Sequence, residues 1–318
     1  MREDAMREHM ARESADPEVE GLLSSLSNWG RWGSGDQLGT LNYITDESRR
    51  AALQTVQSGE TVSCSRDISP RQSKENPRPL LHHMIASGEG APDQGLGVAA
   101  DWLGLEFHGY SVTHLDSLSH LFWNKQSYNG RPASDVSTVS GAATGSVEVA
   151  RNGIVTRGVL LDLAGARGQE WLEPGEALRP ADLEHAEWEQ GVTVGPGDVL
   201  LVRTGRDARR AVNGPIHPDH DGVAGLHFSC LPYLHERQIS VLGSDAVNDA
   251  LPSGVSGFEM PVHTVALVAM GLWLLDNAYL DELSRRCANR GSWEFLAVLA
   301  PLLLKRSTGS PVNPLAVL

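Results

Sequence analysis

Gly158-Val159-Leu160-Leu161-Asp162-Leu163 is a short apolar run bounded by turn-forming residues. Asp198-Val199-Leu200-Leu201-Val202 and Ile239-Ser240-Val241-Leu242-Gly243 repeat the pattern downstream. Runs of this length between turn signals read as buried strands. Between and after them the spacing predicts helices from Pro180 to a stop at Gly191, from Ser229 to about Gln238, and around Leu280 to Ala288. Upstream, Thr45 or Asp46 can cap a helix running to about Ser58, with Gly59 as its stop. Strands and helices are mixed without a regular βαβ period, an internal repeat or a dividing linker. One α+β or mixed α/β domain over residues 21–318 is the simplest reading. Residues 1–20 are polar and poor in apolar side chains, which predicts a mobile N-terminal arm. Pro70 to Gly97 is rich in Pro, Gly, Ser and Asn and reads as a long excursion of the kind used for lids and binding loops.

The 318 residues carry a formal net charge of −14, which argues against nucleic acid as a partner. Cys64, Cys230 and Cys287 are odd in number and form no C-x-x-C pair, so free thiols in a reducing compartment are expected. The opening residues have no apolar core of a secretory signal, and the longest apolar run, Val265 to Leu275, is too short to span a bilayer. These features predict a cytoplasmic protein with no nucleic-acid or membrane partner.

The segment with the most chemistry is His108-Gly-Tyr110-Ser-Val-Thr113-His114-Leu-Asp116-Ser-Leu-Ser-His120. From about Glu106 the pattern is strand-like. Alternate residues of a strand share a face, so His108, Tyr110, His114 and Asp116 could line one side. An imidazole and a carboxylate two residues apart can reach one divalent ion, and such ligands suit zinc or manganese. His120, after a short polar stretch, could stay off the metal and move protons. An H-x-D pair alone recurs by chance, and a buried hydrogen-bonded network without metal is the competing reading.

A second candidate is Met260-Pro261-Val262-His263, which leads into an apolar run ending at Gly271. Pro261 and Gly271 bracket a short buried helix. Leu272 to Leu275 then reads as a strand that returns Asp276 toward the level of His263. A third is Gly243-Ser244-Asp245-Ala246-Val247-Asn248-Asp249, where Asp245 either orients a histidine or binds an amide, or else closes an Asx-turn. His82, His83 and His227 are further pocket candidates. Trp102, Phe107, Phe122 and Trp123 suit an aromatic ligand, though core packing explains them equally well. There is no nucleophile elbow, P-loop or dinucleotide fingerprint.

The chain resembles the cyclase-like metal-dependent hydrolases, the family of bacterial kynurenine formamidase and isatin hydrolase, whose hallmark is H-x-x-x-H-x-D-x-x-x-H. His114, Asp116 and His120 match its last three functional positions. Asn28-Trp-Gly-Arg-Trp-Gly33, Gly39-Thr-Leu-Asn42, Pro196-Gly-Asp-Val-Leu-Leu-Val-Arg-Thr-Gly205 and Thr308-Gly-Ser-Pro-Val-Asn-Pro314 resemble signatures of a longer subgroup. The resemblance implies a swivelling β/β/α fold, a homodimer or homotetramer, bound zinc or manganese, and a small-molecule substrate, with hydrolysis of small amides. It implies His114, Asp116 and His263 as metal ligands, Asp276 near a carboxylate position, and His120 as general acid/base. The first histidine of the hallmark falls at Tyr110. Tyr110 then serves as a hydrogen-bond or oxyanion donor, or His108 replaces the missing ligand from about 7 Å farther along the strand, which demands a distorted strand. The expected function is metal-dependent cleavage of a C–N bond. The alternatives are a cyclase or dehydratase using the same pocket and a metal-depleted binding protein.

Overall fold

The three apolar runs form the parallel heart of a nine-stranded sheet. The structure is a computed structural model that describes residues 15–318. Its strands are β1 (Thr61–Ser63), a separate hairpin of β2 (Leu81–Ala86) and β3 (Ala100–Gly104), β4 (His114–Asp116), β5 (Ile154–Asp162), β6 (Val199–Arg203), β7 (Val241–Ser244), β8 (Trp273–Asp276), β9 (Glu294–Leu299), β10 (Gly309–Pro311) and β11 (Leu315–Val317). The sheet order is β1-β11-β9-β5-β6-β7-β8-β4-β10. Strands β5 to β8 run parallel and the outer pairs are antiparallel.

Parallel strands are covered on both faces, which is why these read as continuous apolar runs. Val159, Leu200, Leu242 and Leu274 stand in register across β5 to β8, and none is exposed to solvent. Burying each such side chain contributes about 1.5–3 kcal/mol. The same row continues into β4, where the partner of Leu274 is Asp116. An ionisable side chain thus occupies a position that the rest of the row fills with hydrocarbon.

Helices form where expected after Pro180 (Pro180–Gln190, closed by left-handed Gly191) and around Leu280 (Asp281–Arg290). The segment after Ser229 is helical over Leu231–Arg237 and closes at left-handed Gln238. The helix capped by Thr45 ends at Leu53, not at Ser58. The backbone N–H groups of Ser58 and Gly59 instead donate to the Leu318 carbonyl, so Leu318 takes the donors a longer helix would have used. The excursion between Pro70 and Gly97 contains β2 and leads into the β2–β3 hairpin.

Two expectations are revised. The strand-like stretch from Glu106 is a strand only over His114–Asp116, because residues 108–112 are bends and Gly109 has φ 138°. Of the arm expected over residues 1–20, residues 1–14 lie outside the described residues. Pro17–Ser25 form a helix, capped by Asp16, whose Val19 is fully buried. No helix among the described residues is long and apolar enough to cross a membrane. Cys64, Cys230 and Cys287 are buried free thiols, and burial pushes each up to about 12.

Candidate metal centre

Strand β4 is three residues long and lies between β8 and β10. Its first and third residues, His114 and Asp116, share a face. His114 pairs across the ladder with Asp276, the last residue of β8, which brings that carboxylate to the same face. The His114 Nδ1–H donates to the Val112 carbonyl at 2.8 Å. That bond leaves Nε2 as the lone pair, 3.5 Å from Asp116 Oδ1.

His263 reaches the centre from above. Pro261–Thr264 form one helical turn, which continues as a π-helical segment, Val265–Met270, to left-handed Gly271. A side chain at 271 would strike the Tyr128 ring, so glycine is required at this stop. Strand β8 then carries Asp276 back to within 3.2 Å of His263 Nε2. Asp249 fixes the imidazole from the other side. Its carboxylate accepts the backbone N–H of Val262 (2.6 Å) and of His263 (3.0 Å), and it bonds His263 Nδ1 at 2.5 Å. Asn248 donates to Asp276 Oδ1 at 2.6 Å. From the sequence, residues 243–249 are expected at a site rim, with Asp245 either orienting a histidine, binding an amide or closing an Asx-turn. Asp245 instead accepts the N–H groups of Thr204, Gly205 and Arg206, capping the helix Arg206–Asn213. Two acids four residues apart cannot be told apart without the crossovers that aim them.

His108 comes to the same acid without a straight strand. The bends after it fold the chain back, so His108 Nδ1 lies 3.0 Å from Asp116 Oδ1 and Nε2 bonds Thr308 Oγ1 at 3.2 Å. Its ring stacks on His120 with centroids 4.1 Å apart and planes within 7°. Tyr110 departs from the shared face. Its hydroxyl donates to Asp219, and its ring packs on Val223, Ala246, Val247 and Leu251. Burial and the Asp219 carboxylate hold its phenol well above the usual value.

Two overlapping sets of ligand atoms result: His114, Asp116 and Asp276, and His108, Asp116 and His120. Within each set the atoms lie within 4.8 Å of one another, and Asp116 belongs to both. Both Asp116 oxygens are buried, and neither accepts a hydrogen bond of normal geometry. Burial pushes this carboxyl up, but the neighbouring His120, His114 and His108 outweigh burial and hold it below the usual range. Burial also lowers His120 to about 4, with His108, His263 and His114 adding to the effect against Asp116, so His120 is neutral at pH 7. Burial opposes the charge on His263, yet Asp276 and Asp249 raise it well above its ordinary value. A buried carboxylate without hydrogen bonds is costly unless a cation faces it. Three imidazoles here turn one nitrogen outward to Val112, Asp249 or Thr308 and the other toward the acids, the arrangement that orients metal ligands. The residues present therefore fit a divalent ion.

The remaining pocket candidates lie elsewhere in the hydrogen-bond network. His82 pairs with Asp101 on the exposed hairpin at 2.6 Å, and His83 stacks on Trp102. His227 Nδ1 accepts the N–H of Ser229 and so caps the turn that follows. Phe107 is beside the centre, 4.5 Å from the His108 ring and 6.2 Å from that of His114. Trp123 stacks on Phe258 at 4.4 Å.

The Cyclase family model matches residues 61–249, which include His108 to His120 and Asp249. An isatin hydrolase from Roseibium aggregatum is 23% identical over 254 residues, 79% of this chain and 85% of the relative. A crystal structure described as a novel cyclase superposes with a TM-score of 0.84 at 31% identity, over 92% of this chain and all of that one. An isatin hydrolase bound to the product analogue thioisatinate superposes with a TM-score of 0.59 at 22% identity, over 86% and 99%. The swivelling β/β/α architecture expected from the sequence is the one these folds share.

Proposed function

We propose that this chain, which belongs to the Cyclase family, is a divalent-metal-dependent hydrolase that cleaves a C–N bond of a small cyclic or aryl amide. The observation that carries this reading is Asp116, a buried carboxylate with no aligned hydrogen bond, ringed by imidazole nitrogens whose opposite sides are already bonded. His114, Asp116, His263 and Asp276 are assigned as metal ligands, with His108 taking the place that Tyr110 vacates. Imidazole and carboxylate donors suit zinc or manganese. When bound, such an ion polarises a carbonyl and lowers the pKa of water.

The chain's own residues then divide the remaining work. His120 is neutral at pH 7 and stacked against His108, so its ring is held in place and free to accept a proton from water and return it to the leaving nitrogen. Asp249 and the Val112 carbonyl keep His263 and His114 in the tautomer that presents Nε2 inward. Phe107 offers an aromatic face beside these rings, which suits an aryl substrate. The isatin hydrolase relatives support a cyclic amide of that kind.

The test is metal analysis of the purified protein together with an amide panel. A bound equivalent of zinc or manganese is expected, with activity lost to a chelator and restored by either ion. His120→Ala is expected to retain the metal and lose about 10²–10⁴-fold in turnover. Metal-free protein that still hydrolyses amides, or full activity in His120→Ala, removes the assignment.

A homodimer or homotetramer is proposed as the working state. Hairpin β2–β3 leaves all six residues of β2 exposed, and Leu81, Ile85 and Leu103 expose 56%, 69% and 62% of their surfaces. An isolated two-stranded hairpin is marginal in water, and an apolar patch on the order of several hundred Å² marks an interface. A second copy covering it is expected to give a sedimentation mass of two or four chains, reduced by Leu103→Asp. A monomeric wild type rules this out. The buried free thiols are consistent with the proposed cytoplasmic location.

A further inference from the structure

We propose that Asn277 and Arg206 form a buried positioning pair that folds the segment after His108 back on itself and so delivers His108 to Asp116 in place of the ligand missing at Tyr110. The inference rests on the metal reading above and concerns how the site is held.

Asn277 directly follows Asp276, is fully buried, and has φ 55°. Its Nδ2 donates to the carbonyls of Gly109 (2.7 Å) and Val112 (3.1 Å). Its own carbonyl accepts Thr113 Oγ1 at 2.6 Å, and Thr113 Oγ1 accepts the Arg66 N–H at 2.9 Å. The carbonyl between those two, at Tyr110, accepts Arg206 Nη2 at 2.8 Å and Arg66 Nη1 at 3.3 Å. Arg206 Nη1 closes the circuit on Asn277 Oδ1 at 2.8 Å. Three carbonyls of one turn between His108 and His114 are thus held by the pair, with Arg66 adding a longer bond to the Tyr110 carbonyl. Val112 also receives His114 Nδ1, so Asn277 touches the acceptor that sets that ring.

Arg206 is itself fixed. Its Nη2 donates to Glu75 at 2.9 Å, its backbone N–H to Asp245 at 3.2 Å, and Glu75 is also paired with Arg210. Keeping a guanidinium and a carboxylate buried is costly, and specifying one conformation is a role such pairs take in some proteins. Here the conformation includes φ 138° at Gly109, which an L side chain rarely adopts. The opposite side is cleared by Gly309, where a Cβ would lie 2.8 Å from His108 Cε1. His108 is therefore seated by three features distant in sequence. A change of one hydrogen-bonding group in Asn277 should reach the metal through His108 and leave the assigned ligands intact.

The experiment titrates Mn(II) into chelated, full-length wild type, Asn277→Asp, His108→Ala and the double variant by calorimetry, with circular dichroism confirming folding. Asn277→Asp keeps a short polar side chain that tolerates left-handed backbone and loses the two Nδ2 donors. It is expected to weaken Mn(II) binding about 10–100-fold, as loss of an outer-shell partner does. His108→Ala should weaken it by a similar factor, and the double variant should be no weaker than the poorer single, because both changes remove one contribution. If Asn277→Asp does not fold, Asn277→Gly keeps the backbone conformation and removes the same donors. A lowered melting temperature with wild-type Mn(II) binding, or factors that multiply in the double variant, overturns the proposal. Wild type that binds no Mn(II) or Zn(II) removes the metal reading and this inference together. Wild type that binds while the variants bind equally removes the inference alone.

Discussion

Replacing Asp249 by Asn changes one atom in the support of His263 and leaves every assigned ligand in place. Asp249 is fully buried and accepts three N–H groups, at 2.5, 2.6 and 3.0 Å. The amide retains a single acceptor oxygen, and its NH₂ group must face an N–H of Val262 or His263. A buried donor left unpaired costs about 1–3 kcal/mol. Loss of the outer-shell carboxylate should weaken metal binding about 10–100-fold, or about 1.4–2.8 kcal/mol. The metal-free protein carries a second signature. Against burial, Asp276 and Asp249 raise His263 well above its ordinary value, so its charge contributes stability that is fully present below the unfolded value near 6.5 and lost as pH rises through the raised folded value. Asp249→Asn lowers that folded value. The difference in melting temperature between wild type and variant should therefore be largest below about pH 6.5 and shrink at higher pH. Calorimetric metal titration and thermal melts of the chelated proteins across pH measure both effects. Wild-type metal affinity in a folded Asp249→Asn protein would refute the assignment of His263 as a ligand oriented by Asp249. A pH-independent gap in melting temperature would refute the charge on His263.

Tyr110→Phe should lose less than about tenfold in turnover, since the hydroxyl is bonded to Asp219; a loss of about 10²–10³-fold would restore it as an oxyanion donor. Gly309→Ala should destabilise the fold by about 1–3 kcal/mol and weaken metal binding, because the added carbon meets Leu115 O at 2.7 Å and His108 Cε1 at 2.8 Å; an unchanged melt and metal isotherm would contradict it. Metal binding should release at least one proton per ion at pH 7, since His263 is charged without metal while Asp116 is already ionised. Calorimetry in buffers of different ionisation enthalpy measures that proton, and zero release would remove the charge on His263.

Much of this protein follows from local periodicity. The apolar runs at 158–163, 198–202 and 239–243 announce buried strands, and their parallel pairing is what the tertiary structure adds. His114 and Asp116 share a face because they lie two apart in a strand, and Pro261 and Gly271 mark the helix that returns Asp276 to His263. These features depend on neighbours within one element, and the pattern carries them. Parity failed between His108 and His114 because it assumes an extended backbone. The chain bends there under hydrogen bonds from Asn277, Arg206 and Arg66, residues 44 to 168 positions away. Asp249 rather than Asp245 orients His263 for a similar reason, since each acid caps the helix that the crossover happens to place over it. Sequence by itself determined which residue types and which strand could hold an ion. Only the tertiary structure decided which nitrogen faces which oxygen, because directional hydrogen bonds between distant segments aim those rings and leave no period in the chain.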